Sequence, residues 1–111
     1  NSPMLYKLKS KAAGDLILLE PQGKQLLTLI GKRPEAQGII APEEMLDAME
    51  ALRQAIAKQE ADQAQAQADA KAQGQPAPRF EDIGLRQRCK PFMDMLARCH
   101  KAGQPIVWGV P

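Results

Sequence analysis

The spacing of the apolar residues changes along this chain, and that change restricts the folds open to it. Met4, Tyr6 and Leu8 alternate with Lys7, Lys9 and Lys11, the period of two expected of a half-buried strand. Lysines in such a row are also what edge strands carry against unwanted pairing. Asp15-Leu16-Ile17-Leu18-Leu19 is apolar on both faces, which predicts a central strand, joined to the first by a short connection at Ala12-Ala13-Gly14. From Leu26 the spacing becomes three and four, the helical period, and at the far end Ile106-Val107-Trp108-Gly109-Val110 reads as a strand again. Strands at both ends with helices between them imply an α+β domain. We expect a small mixed or antiparallel sheet of three to four strands with two to three helices on one face.

Local signals place the helices. Leu26, Leu27, Leu29 and Ile30 form a short stripe after a turn at Glu20-Pro21-Gln22-Gly23, with Gly31 and Pro34 as stop signals. Gln37-Gly38-Ile39-Ile40 offers a brief strand. Pro42, Glu43 and Glu44 then open a long helix, with a proline in the first turn, carboxylates at the positive end of the dipole, and Ile40 placed to clip over Met45. Met45, Met49, Leu52 and Ile56 continue it at spacings of four, three and four. Large apolar residues stop there, and EADQAQAQADAKAQ at 60–73 follows. Alanine favours helix over strand, so this segment reads as a solvated continuation towards Gly74. A single domain over 4–111, with a flexible or projecting Ala/Gln-rich segment at about 58–78, is the resulting organisation, and Asn1-Ser2-Pro3 reads as a cloning remnant. The last helix carries Leu85, Cys89, Phe92, Met93, Leu96 and Cys99 on one stripe that passes Pro91 in phase, which predicts one helix kinked at Pro91. Arg98, His100 and Lys101 fill its last turn, and Gly103 caps it.

Bulk properties narrow the function more by exclusion than by assignment. A net charge of +2 over 111 residues is too small to argue for nucleic acid, and no apolar run approaches the length of a membrane span. No secretory leader is visible and two cysteines do not make a disulfide framework, so a cytoplasmic location is expected. Charge is segregated: residues 34–73 hold three basic and eight acidic side chains, between basic flanks. The simpler reading is that acidic and basic segments lie against each other within the fold.

Three groups of residues invite a chemical reading. In LLEPQGKQLL, strand, glycine, lysine and helix suggest a phosphate loop. Such a loop needs a second glycine five positions earlier and Ser or Thr after the lysine, where Leu18 and Gln25 stand instead. A weak anion site built from Gly23, Lys24, Lys7 and Lys9 is what remains. Cys89, Cys99 and His100 suggest a metal, but ten helical residues separate the thiols by about 15 Å, so neither a metal site, a cofactor site nor a catalytic dyad is expected. Arg86, Arg88, Lys90, Arg98 and Lys101 give the last helix a basic face. With few aromatics to stack on bases, it reads as a solvated face pairing with Glu43, Glu44, Asp47 or Glu50.

Two segments, MLYKLKSKAAGDLILLEPQGKQLLTLIGK and LRQRCKPFMDMLARCHKAGQPIVWGV, together with the helix opening at Pro42-Glu43-Glu44-Met45, resemble a small proteobacterial family known as a domain of unknown function, number eighteen-forty. The resemblance spans Met4 to Val110 and implies a small bacterial cytosolic protein, with no activity, ligand or catalytic residue attached to it. No catalytic constellation accompanies an amphipathic helix longer than its core needs. The expected function is therefore a non-catalytic protein-interaction module, with a protein partner or a second copy meeting the helix at 42–73. A small-molecule or anion binder, or a minor enzyme, is the alternative, and a nucleic-acid accessory role comes third.

Overall fold

The computed structural model describes residues 5–80 and 83–110. The remnant expected at 1–3, and Met4, assigned above to the buried side of the first strand, lie outside the described residues. Four strands and three helices follow in the order β1 (Leu5–Ser10), β2 (Ala13–Leu19), α1 (Glu20–Leu29), β3 (Gly38–Ile40), α2 (Met45–Ala72), α3 (Leu85–Ala102) and β4 (Ile106–Trp108). A 3-10 turn at Pro42–Glu44 leads into α2. The sheet order is β2-β1-β4-β3, with every neighbouring pair antiparallel. This is the expected α+β class.

The order corrects one expectation. β2 is an edge strand, and β1, read as the edge because of its lysines, is interior. The cause is a pairing across the whole chain: β4 returns to sit between β1 and β3, with Leu8 opposite Trp108 and Lys9 opposite Val107. Local patterning carries no information about such a partner.

The core forms on one face of the sheet. Tyr6, Leu8 and Leu18 point inward with Ile40, Ile106 and Trp108, and meet Leu26 and Leu27 of α1, Met45, Met49, Leu52 and Ile56 of α2, and Leu85, Cys89, Phe92, Leu96 and Cys99 of α3. Met95 is buried where Met93 was expected; Met93 is only half-buried. Met93 stands four residues after Cys89 and Met95 three after Phe92, so both spacings fit a helical stripe. α3 runs continuously through Pro91, which has no N–H to donate to the Gln87 carbonyl, the physical source of the expected kink. Its end is capped by Gly103 at φ 66°, with the Gln104 N–H donating to the Cys99 carbonyl at 3.0 Å.

Buried side chains in α2 stop at Ile56, as the sequence pattern implies, yet the helix continues to Ala72. Its neighbour α3 starts level with Gln59 and Glu60. The Leu85 N–H donates to Gln59 Oε1 at 2.9 Å, and Arg86 Nε and Nη2 each meet a Glu60 oxygen at 2.9 Å. Residues 61–72 thus form an arm about 18 Å long beyond the packed body. It explains a radius of gyration of 16.3 Å, where a compact chain of this length has about 13 Å.

Glu44 ties the helices to the loop after α1. Its Oε1 accepts from the Ala41 N–H at 2.8 Å and its Oε2 from Lys32 Nζ at 2.7 Å. These bonds, the lysine's first, hold the carboxyl below its ordinary value of 4.5. Glu44→Ala should lower stability by about 1 kcal/mol at neutral pH. Because the folded-state value is depressed, that contribution is complete above 4.5 and disappears as pH falls through the lowered value. Urea unfolding of both proteins at pH 7 and pH 3 checks this: the gap should be full at the first and smaller at the second.

Candidate interaction surface

Among the described residues, no layer covers the other face of the sheet. Along β1 the alternation that sends Tyr6 and Leu8 inward turns Leu5 and Lys7 outward. Along β2 Asp15, Ile17 and Leu19 turn outward. Register brings them together, with Leu5 opposite Leu19, Lys7 opposite Ile17, and Lys7 Nζ 3.7 Å from Asp15 Oδ2. Val107 lies between Lys9 and Ile39 on the same side. Leu5, Ile17, Leu19 and Ile39 are 50%, 57%, 60% and 50% exposed. Single exposed leucines are ordinary, but four large aliphatic side chains on one sheet face form an exposed apolar row.

These residues were not picked out from the sequence, although a signal was present. A hairpin with so short a turn places Ile17 beside Lys7, and cross-strand neighbours share a face. A lysine row facing water therefore implies that Ile17 and Leu19 face water too. The two-sided apolar character of β2 marks an edge strand with an apolar outer row.

The expected anion site is divided by the sheet. Gly23 is buried in the second turn of α1, which begins at Glu20 rather than at the glycine, because Pro21 and Glu20 suit a first turn. A Cβ on Gly23 would stand 2.4 Å from Tyr6 Cδ2, so the glycine lets α1 pack on the inner face of β1. Lys24 pairs with Glu20 at 3.2 Å. Lys7 projects from the opposite face, beside Asp15, and Lys9 borders a shallow concavity of about 500 Å3 with Lys11, Asp15, Val107 and Val110.

The basic residues of α3 are also dispersed. Arg86 pairs with Glu60 and Lys90 with Asp94 at 2.7 Å, rather than with Glu43, Glu44, Asp47 or Glu50. The Arg86 pairing raises the guanidinium's pKa and lowers that of Glu60. Arg88 is half-buried beside Gln25 and Gln59, Arg98 is exposed near Ala13 and Gly14, and Lys101 is exposed in the last turn. With Lys32 on Glu44 and Arg86 on Glu60, both basic flanks of the sequence meet its acidic middle. Cys89 and Cys99 are free and buried, and burial pushes the Cys89 thiol up, so it packs as a small hydrophobe. Among the described residues no cluster of His, Cys, Asp and Glu is suited to hold a metal ion, and no helix is long and apolar enough to cross a membrane.

Fold and surface together define a small α+β protein whose helices cover one side of an antiparallel sheet and leave the other bare. The profile of a family described as a domain of unknown function (DUF1840) matches residues 4–108, and the chain belongs to that family. No curated protein and no solved structure matches it.

Proposed function

We propose that this is a non-catalytic, cytoplasmic protein-interaction module that receives its partner on the outer face of the sheet. The carrying observation is the exposed row of Leu5, Ile17, Leu19 and Ile39 on a sheet whose helices all pack on the other side. The α2 arm at 61–72 is a second exposed element, but it bears alanine, glutamine and charged residues, with no large apolar anchor of the kind that dominates binding energy. This moves the expected contact from the helix at 42–73 towards the sheet. The anion-binding reading has less support, since Lys9 and Lys11 share their concavity with Asp15 while Gly23 and Lys24 stand elsewhere.

Affinity capture from the organism's own lysate distinguishes the two surfaces. Three baits are compared: the full chain, the double variant Ile17→Glu/Leu19→Glu, and a chain lacking residues 61–74. We expect a stoichiometric partner retained by the first and third and lost by the second. Retention of the same proteins by all three would sink the sheet-face reading, and loss only from the third would return the contact to the arm.

A further inference from the structure

The sheet face ends in an edge, and from Leu16 to Leu19 that edge carries no proline, lysine or bulge. β2 is seven residues long, Ala13–Leu19, and contains no proline and no lysine. Natural proteins usually blunt such an edge with those residues, with a bulge, or by making it short, as β3 is at three residues. The one irregularity in the β1–β2 pairing is an extra residue in β2 itself, where Gly14 and Asp15 stand against Lys9, so the regular edge is the stretch from Leu16 to Leu19. Among the described residues, no backbone or side-chain group bonds to the outer side of β2. Alternate N–H and C=O groups of this strand therefore face solvent, next to an outer row of apolar side chains.

Charge indicates what would pair there. Lys7, Lys9 and Lys11 border the outer face, and Arg98 of α3 stands beside Ala13, Gly14 and Asp15 on the other flank of the same strand. Among the described residues Asp15 is the one carboxylate of the outer face, shared with Lys7, and Asp94, which stands beside Arg98 on the other flank, pairs with Lys90. Lys9, Lys11 and Arg98 make no ion pair among the described residues. An extended peptide would complete the backbone ladder, and carboxylates on it would answer these cations. A nucleic acid supplies the charge but cannot continue the ladder. A second copy continues the ladder but brings another basic row, and its own Asp15 is already engaged.

We infer that β2 is a docking strand for an extended, acidic segment of a partner protein, which adds to the sheet as a fifth strand with apolar side chains over Ile17 and Leu19 and carboxylates towards Lys11 and Arg98. This rests on the sheet-face reading above and specifies its partner. Backbone pairing supplies affinity that tolerates sequence variation, while the flanking cations select for acidity and accelerate encounter.

The test uses the full chain and two capped synthetic peptides of roughly ten residues, the upper end of common strand lengths. One alternates valine with glutamate, and the other has lysine in place of glutamate. Affinity is read by fluorescence anisotropy at low and physiological salt, and hydrogen exchange is followed at the β2 amides. We expect the glutamate peptide to bind about tenfold more tightly than the lysine peptide at low salt, with the ratio shrinking as salt is added. Its binding should slow exchange along β2, and Arg98→Glu and Ile17→Glu should each weaken it about tenfold. Both positions are exposed, so their variants keep the fold. Equal binding of the two peptides, or tight binding without slower exchange along β2, overturns the inference. So does finding β2 already protected in a concentration-dependent dimer, which would make the occupant a second copy. Should the peptides fail while capture still depends on Ile17 and Leu19, the sheet face remains the interaction surface and only the acidic strand is wrong.

Discussion

Trp108→Ala should remove about 3–5 kcal/mol of stability, as other buried tryptophan truncations do. A domain of this size has about 5–15 kcal/mol in all, so the variant will be marginal or unfolded at physiological temperature. Trp108 is 2% exposed, and its indole N–H donates to the Glu35 carbonyl at 2.9 Å. It lies over Gly38, where a Cβ would stand only 2.0 Å from the ring. It is also the β4 residue opposite both Leu8 and Gly38, so its loss opens the join between the two halves of the sheet. Circular dichroism during urea unfolding is the suitable measurement, because the chain has one tryptophan and the variant loses its intrinsic probe. Trp108→Phe should be far milder, forgoing the hydrogen bond and part of the volume. Equal losses in both variants would show that the bond to the Glu35 carbonyl, and not packing, holds this corner.

Gly109→Ala should follow at about 2–4 kcal/mol, from two sources. Gly109 has φ 73°, which strains any residue with a Cβ, and that Cβ would stand 1.8 Å from the Ala36 carbonyl oxygen. The loop over Ala36 and Gln37 must therefore move, and it is the same loop that the Tyr6 hydroxyl holds through Pro34 at 2.8 Å and Trp108 holds through Glu35. Gly31 provides the control. Its φ is 85° but nothing lies within 4 Å of its Cβ position, so Gly31→Ala should show the backbone strain alone, about 1 kcal/mol. A Gly109→Ala loss no larger than that of Gly31→Ala would mean the loop yields freely. The combined Trp108→Ala/Gly109→Ala loss should fall short of the sum, since both loosen one contact.

What the sequence disclosed and what it withheld divide along the range of the interactions. The stripe from Met45 to Ile56, the solvated run that follows it, the continuity of α3 through Pro91 and the cap at Gly103 depend on neighbours a few residues away, and all were legible. The position of β1 inside the sheet depends on Val107 and Trp108, about a hundred residues distant, and was not. The partner of Arg86 was misassigned for the same reason. Only the placement of α3 against α2 brings Glu60, 26 residues back, to within 2.9 Å of its guanidinium. The candidate surface lay between these limits. Its residues were read as a buried strand because both faces of β2 are apolar, while the hairpin register that exposes one of them was already implied by the lysines.

The place of β4 has a consequence for how the protein is made. The strand that joins β1 to β3 is the last of these four to be synthesised, so the sheet cannot close until residues 106–108 have left the ribosome. Until then the hairpin and the helices lack the side chains of Ile106 and Trp108, and the apolar inner row of β1 has no neighbour on that side. Closing a loop of about a hundred residues is entropically slow, and chains dominated by such contacts fold late and remain open to misassembly. A stop just before Ile106 would therefore leave the nascent chain in that open state, with α1 to α3 and the β1–β2 hairpin translated and no strand to join β1 to β3.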